Sequence, residues 1–403
     1  MSDFQVNDKV QAIISELIIK NNWGPVVDIK YKPGTELGDG YSCTHISVDI
    51  IRENDTLRLF LKYPTGLKLF ENDVDVDKFY ENEVIFYDKV CTIYNKFLKD
   101  KNQVSKLENV PNSYRTSAKT VVVLEDLKHK GYQLFNRFKF MNDQHIRLVL
   151  KSFAKFHGTS FAFKDQRRIE YDELTSAIWP SLFANQSEDS MYMKMNRNEM
   201  ERTLNKFDPL KDKHLLDRCN VDVLFKALRK LVYTPDEYSI IIKGDCWLNN
   251  MMFLYKDDDK DNPIDVMQLD WQLIEVSSPI YDISYFFYTV ASEEALSKLD
   301  DYLRFYHTEL SEQIRKLGSD PELLYPFSVF EMEWKRYCTY GFALAFMIFR
   351  ALLANHDEIP KMDEIEVENY NDDMELFAKF DNEQEYINRI KILAEFVVKR
   401  GYI

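Results

Sequence analysis

The sequence predicts an α+β protein of two lobes, a small β-rich lobe followed by a larger helical one. Strand-like alternation gathers before residue 127, whereas apolar residues spaced three and four apart dominate the remainder. The chain has 403 residues, 45% of them hydrophobic, which is more than one average domain and enough for two cores.

Ile46, Val48 and Ile50 alternate with polar residues. Leu57, Leu59 and Leu61 repeat that spacing after the polar turn at 52–55, which predicts an antiparallel hairpin. A helix is expected around 77–97, with Phe86, Tyr87, Val90 and Tyr94 on one stripe. Residues 120–124 form a compact β-branched strand. The order is thus strand, strand, helix, strand, and we place a first, nucleotide-binding lobe at 1–127 and a second lobe at 128–403.

In the second lobe, Ile146, Val149, Leu150, Phe153 and Phe156 mark an amphipathic helix. Residues 172–235 read as helices with loops. A short apolar strand, Ile240 to Ile242, breaks at Lys243-Gly244-Asp245. Two apolar runs, Met251–Tyr255 and Ile264–Leu269, flank an acidic turn and predict a second hairpin. After Ser277-Ser278-Pro279 the pattern is helical to the end, proline suiting a first helical turn. No internal repeat is present.

Charge narrows the partners. Sixty-seven acidic against 52 basic residues give a net charge of −15, which disfavours nucleic acid and anionic membrane surfaces and favours a metal or a metal-chelated phosphate. No run approaches the ~18 apolar residues of a membrane span. The N-terminus lacks the features of a secretory signal. Five cysteines stand far apart, never in CxxC spacing, so neither a disulfide framework nor a zinc knuckle is expected. The two glycosylation sequons, at Asn54 and Asn185, are then chance matches. A cytoplasmic location is the expectation.

Three constellations bear on chemistry. Gly34, Gly38 and Gly40 fall just before the first hairpin strand, where glycine lets backbone N–H groups approach a phosphate, although an ordinary turn explains them equally. Lys62 ends the second hairpin strand, and Glu83 shares a helical stripe with Tyr87 and Val90. A carboxylate on a packing face is costly unless paired, so Lys62 and Glu83 are either an ion pair or two solvated charges. In the third, an apolar strand delivers Asp245 to a loop, Asn250 follows, and a later strand ends on Asp270. Phosphoryl transfer needs a carboxylate near the acceptor hydroxyl, an amide oxygen on Mg²⁺ and a second carboxylate on Mg²⁺; this order supplies all three.

Other readings fail. GxxxxGK[ST], HExxH and GxSxG are absent. The acidic run 257–261 has Asn262 where a calcium loop needs glycine and Gln268 where it needs glutamate. His157 reads as a helix-end residue, and the aromatic cluster at 285–288 as core.

Several segments together resemble the insect-type ecdysteroid kinase-like proteins, also called CHK kinase-like and grouped with choline and aminoglycoside kinases. They are Val123-Leu124-Glu125-Asp126-Leu127 with Gly131-Tyr132, Phe153-Ala154-Lys155-Phe156-His157, the loop 244–253, Leu269-Asp270-Trp271-Gln272, and Ser278-Pro279 leading to Asp282 and Tyr285-Phe286. The resemblance runs from about residue 30 to 350. It implies a bilobal protein-kinase-like fold that uses ATP and Mg²⁺ to phosphorylate a small-molecule alcohol, such as an ecdysteroid or a xenobiotic. Carried over by position, Asp245 is the catalytic base, and Asn250 and Asp270 are the magnesium ligands. Gly38, Gly40, Lys62, Glu83, Glu125 and Leu127 serve the nucleotide, the hinge at 124–127 through backbone groups. Asp282 braces the catalytic loop. Lys243 departs from the family's histidine, and Trp271 from the usual phenylalanine. A lysine at 243 either bonds a carboxylate or loop carbonyl in the histidine's place, or competes with Mg²⁺ for Asp270. Two functions follow: a small-molecule kinase, or a pseudokinase-type module that binds nucleotide or ligand without turnover.

Overall fold

The computed structural model describes residues 6–34, 43–64, 76–103, 106–179, 190–229, 235–358 and 380–403. Gly38, Gly40 and the sequon at Asn185 lie outside them. The chain begins with two elements beyond the expected set, helix α1 (Asp8–Lys20) and strand β1 (Val26–Pro33). Asn7 caps α1 by accepting the Val10 N–H, and Asp8 and Lys20 sit at the ends that the helix dipole favours for their charges. The expected hairpin is β2 (Cys43–Arg52) and β3 (Thr56–Pro64). The expected helix is interrupted: α2 (Val76–Ile85) widens into a π-turn over Phe86–Val90 and resumes as α3 (Cys91–Asp100). Strand β4 (Val122–Glu125) completes an antiparallel sheet of order β1-β2-β3-β4.

Alternation along the strands gives this sheet two working faces. Ile46, Val48, Ile50, Leu59, Leu61 and Val123 pack on Val10, Ile13, Ile14 and Leu17 of α1. The opposite face carries His45 and Lys62, which are direct cross-strand partners, together with Val122 and Leu124. Val122 and Leu124 join α3, Phe156 and Trp271 in a second apolar cluster that bridges the lobes.

The second lobe contains β5 (Gln133–Leu134), α4 (Asp143–Gln166), α5 (Arg168–Thr175), α6 (Met191–Leu204), α7 (Lys213–Leu216) and α8 (Val221–Arg229). Then follow β6 (Ile240–Ile242), β7 (Met251–Tyr255), β8 (Pro263–Gln268) and β9 (Glu275–Ser277). Helices α9 (Ile280–Val290), α10 (Glu293–Ser297), α11 (Leu299–Lys316), α12 (Pro321–Leu324), α13 (Phe327–Tyr337), α14 (Thr339–Leu353) and α15 (Glu383–Lys399) close the chain. The second expected hairpin is β7 with β8, to which β5 adds an edge. β6 pairs with β9, so the strands leading to Lys243 and Asp270 are not partners. Helix α4 runs on to Gln166, which places His157 inside it and fully buried, not at its end. Among the described residues no helix is long and apolar enough to cross a membrane. Cys91, Cys219, Cys246 and Cys338 are buried and free. The result is the arrangement that the segment order predicts, a small antiparallel sheet followed by a larger helical part, and it agrees with the bilobal kinase-like fold that the resemblance implies.

Helices α9 and α14 are apolar on nearly every side and form the centre of the larger lobe. They meet at Gly341, where a Cβ would lie 2.3 Å from the Ser284 carbonyl carbon and oxygen. Backbone cannot yield as a flexible side chain can. Gly341→Ala is therefore expected to cost about 3 kcal/mol, read as a lower midpoint in urea denaturation.

Candidate active site

The loop after β6 is shaped by one carboxylate. Asp282, in the first turn of α9 and 0% exposed, accepts the Gly244 N–H on Oδ1 at 2.8 Å and the Lys243 N–H on Oδ2 at 2.7 Å. His157 Nε2 approaches Oδ2 at 3.1 Å, while its Nδ1 meets the Tyr306 hydroxyl at 2.8 Å. Burial alone would raise the Asp282 pKa, but the His157 bond and the two N–H donors outweigh it and hold the carboxyl below its usual range. Gly244 has φ of 82°, and a Cβ there would stand 2.0 Å from the Leu273 carbonyl oxygen. Only glycine fits that turn.

Beyond it, Asp245 is held by both oxygens. Tyr285 of α9 donates its hydroxyl to Oδ1 at 3.0 Å, and Asn250 donates Nδ2 to Oδ2 at 2.7 Å. Burial raises the Asp245 pKa and the Asp270 charge adds to it, against lowering by Lys243, Tyr285 and Asn250. The Asn250 carbonyl accepts the Leu269 N–H at 2.8 Å, which draws the end of β8 alongside and delivers Asp270. Asp270 adopts φ of 57°, a left-handed conformation uncommon outside glycine.

Lys62 Nζ stands between two carboxylates, 2.8 Å from Glu83 Oε2 and 2.8 Å from Asp270 Oδ1. Of the two readings of Lys62 and Glu83, the ion pair is the one observed. Burial pushes the Glu83 pKa up despite Lys62. For Asp270 the same upward push is outweighed by Lys62, so its carboxyl titrates below the usual range. His45, across the ladder from Lys62, is pushed down to about 4 by burial and then by the Lys62 charge.

Lys243 takes the first of its two expected courses. Fully buried, its Nζ donates to the main-chain carbonyls of Asp245 and of Asp270, the latter at 2.9 Å. It also lies 5.5 Å from the centre of the Trp271 ring. The ammonium thus ties the two loops through main-chain carbonyls and not through the carboxylates, which have other partners: Tyr285 and Asn250 for Asp245, Lys62 for Asp270. The Trp271 ring stacks at 3.8 Å, nearly parallel, on Phe86 of the π-turn, and its main-chain N–H reaches Glu83 Oε1 at 3.3 Å. The two departures from the family pattern are thus in contact.

Glu125 and Leu127 lie where β4 leaves the small lobe. The Glu125 carboxylate is committed locally, accepting the Asn112 N–H at 3.1 Å and Asn112 Nδ2 at 2.7 Å and pairing with Lys130. The Leu127 carbonyl accepts the Lys130 and Tyr132 N–H groups. Among the described residues no cluster of three or more His, Cys, Asp or Glu could hold a metal unaided. Asn250 and Asp270 offer oxygen donors only, a set that fits a hard cation completing its shell with phosphate oxygens and water.

Three contributors have no site role assigned from the sequence. His157 is a polar residue on an apolar stripe, the same signal that singled out Glu83. Tyr285 belongs to the core as expected, yet its hydroxyl serves Asp245; no local pattern marks it. His45 was hidden because its partner is set by strand register.

The family profile described as the ecdysteroid kinase-like family matches residues 38–319, more than half of the chain. No curated protein matches the sequence. Solved structures similar to it include a Plasmodium vivax ethanolamine kinase, at 12% identity and TM-score 0.44, covering 100% of this chain and 92% of that one. A macrolide 2'-phosphotransferase from Brachybacterium faecium, as apoenzyme, is 13% identical with TM-score 0.36, covering 82% and 97% respectively.

Two stability measurements follow from this geometry. The Asp282 carboxyl has a lower pKa folded than unfolded, so its contribution is complete above the ordinary value of about 4 and fades as pH falls through the folded value. Urea midpoints of the parent are expected to drop on acidification below about pH 4, and to drop less in Asp282→Asn, which starts lower at neutral pH. Lys243→Met strands two carbonyls and should cost about 2–3 kcal/mol, whereas Lys243→His, which keeps an N–H donor, should recover part of it in the same assay.

Proposed function

The chain belongs to the ecdysteroid kinase-like family of small-molecule kinases, and we propose that it transfers the γ-phosphoryl group of Mg·ATP to a hydroxyl of a small hydrophobic alcohol, ecdysteroid-like or xenobiotic. The observation that carries this reading is the convergence of Asp245, Asn250, Asp270 and Lys62 on one cleft between the sheet and the helical lobe. In this assignment residues 1–127 bind the nucleotide, and 128–403 carry the catalytic loop and the acceptor pocket.

Bound Mg·ATP supplies the transferable group and the metal charge that offsets its oxygens. Asn250 and Asp270 would hold the cation, and Lys62, fixed by Glu83, would orient the phosphates. The backbone of 124–127, with Glu125 and Leu127, would carry the base, and Gly38 and Gly40 would lie over the phosphates. Asp245 accepts the acceptor's hydroxyl proton on a carboxylate oxygen. Its raised pKa suits a base working near neutrality, and Tyr285 and Asn250 keep both oxygens oriented. Tyr285, meeting Tyr340 edge-on at 6.4 Å, adds an aromatic wall beside the base, in keeping with an apolar acceptor.

The test combines Mg·ATP-dependent thermal stabilisation with ATP consumption over a panel of hydrophobic alcohols. Asp245→Asn is expected to keep nucleotide stabilisation and lose about 10²–10⁴ in turnover, while Asp270→Ala loses the magnesium-dependent stabilisation itself. A parent that is stabilised by Mg·ATP yet consumes none with any alcohol would return the chain to the nucleotide-binding module without turnover.

A further inference from the structure

The ion pair at Lys62 requires helix α2 to hold one rotation about its axis, because Glu83 reaches the cleft from that helix. Besides the Trp271 N–H on Glu83 itself, two contacts at side chains flanking Glu83 tie this rotation to the larger lobe. The first is the stack of Phe86 on Trp271, just beyond Glu83. The second lies at Asn82, the residue beside Glu83, and belongs to no part of the site described so far.

Asn82 is 1% exposed. Its amide pairs with the main chain of Trp179 at two points: Nδ2 donates to the Trp179 carbonyl at 3.3 Å, and Oδ1 accepts the Trp179 N–H at 2.8 Å. Two bonds in one amide plane fix orientation as well as distance, which a single bond does not. One turn earlier on the same face, Lys78 Nζ lies 4.8 Å from the centre of the Trp179 ring. Trp179 is delivered by the C-terminal turn of α5, where Ala177 and Ile178 donate their N–H groups to Leu174 and Thr175. Ile178 packs with Val84 against the apolar cluster between the lobes. The segment 176–179 is therefore anchored in the helical lobe and grips α2 beside its functional glutamate.

We propose that Asn82 is a positioning residue for nucleotide binding: clamped on the Trp179 backbone, it sets the rotation of α2 and so delivers Glu83 to Lys62. This rests on the reading of Lys62 as a phosphate-orienting group. Residues 176–179 thereby become a part of the larger lobe that controls the smaller lobe's ion pair, the kind of helix placement on which the Lys–Glu pair of kinases depends.

The experiment is calorimetric titration with Mg·ATP in two backgrounds, the parent and Glu83→Gln. Losing both bonds in Asn82→Ala is expected to weaken binding about tenfold in the parent. In Glu83→Gln, where the delivered group is already changed, the same substitution should shift affinity less than about twofold. Equal shifts in the two backgrounds, or none in the parent, would overturn the proposal, since a merely structural asparagine acts alike in both. Should Asn82→Ala not fold, Asn82→Asp keeps the acceptor for the Trp179 N–H and drops the donor. It is expected to weaken binding about threefold in the parent only, and equal shifts in both backgrounds would again refute the idea. Absence of Mg·ATP binding by the parent removes the functional reading and this proposal together, an outcome distinct from binding that is indifferent to Asn82.

Discussion

A carboxylate sealed from water survives only where hydrogen-bond donors meet its lone pairs, and in this protein that constraint falls on Asp282. Its donors are the first two N–H groups of the loop after β6 and the His157 ring. Satisfying the charge and shaping the loop are therefore one event. The turn that results leaves room only for Gly244, with the Leu273 carbonyl where a side chain would begin. From there the Asp245 side chain comes within reach of Tyr285, which rises from the same helix as Asp282. The helix, the loop and the candidate base form one unit, with His157 and Tyr306 extending it to α4 and α11.

A second charge organises the cleft from the other side. Lys62 reaches from β3 to a carboxylate on α2 and to another in the loop after β8, joining three elements from both lobes. The larger lobe answers with its own cation. Lys243 holds the same loop by the Asp270 carbonyl, behind the carboxylate that Lys62 faces. Asp270 is thus grasped at main chain and side chain by different lysines, which accounts for a non-glycine residue resting in a left-handed conformation. The indole of Trp271 supports the arrangement, with Phe86 on one face and the Lys243 ammonium nearby. Lys243 and Trp271 thus support one another, the ammonium lying near the indole while both hold the loop that carries Asp270.

Much of this was legible in the sequence, for identifiable reasons. Asp245, Asn250 and Asp270 announce themselves because each borders an apolar strand, Asp245 and Asp270 just after one and Asn250 just before one, where an unneeded polar residue would be costly. Glu83 was visible as a charge on a packing stripe. Helix α1 bears a regular stripe, Val10, Ile13, Ile14 and Leu17, so its signal was present in the chain, whereas β1 is an edge strand with Val27 exposed and offers little alternation. What local pattern could not give were partnerships across distance. Asn82 meets Trp179 across the two lobes, and His157 meets Asp282 where two helices far apart in the chain pack within the larger one. The π-turn is equally invisible, since its widened backbone goes with the Trp271 stack and not with the composition of 86–90.

That π-turn has a consequence for how the chain can change in length. Glu83 lies before it and the buried residues Tyr94 and Phe97 after it, all three facing the bridge between the lobes. One residue spans about 100° of an α-helix. A π-turn takes up one residue more than the α-turn it replaces, so losing one residue within 86–90 would restore a regular helix, whereas a deletion or insertion elsewhere between 83 and 94 would swing Glu83 away from Lys62. Residue count in this helix is therefore as constrained as residue type. Between 83 and 94 the geometry tolerates a one-residue loss only at 86–90, where the π-turn would become an α-turn.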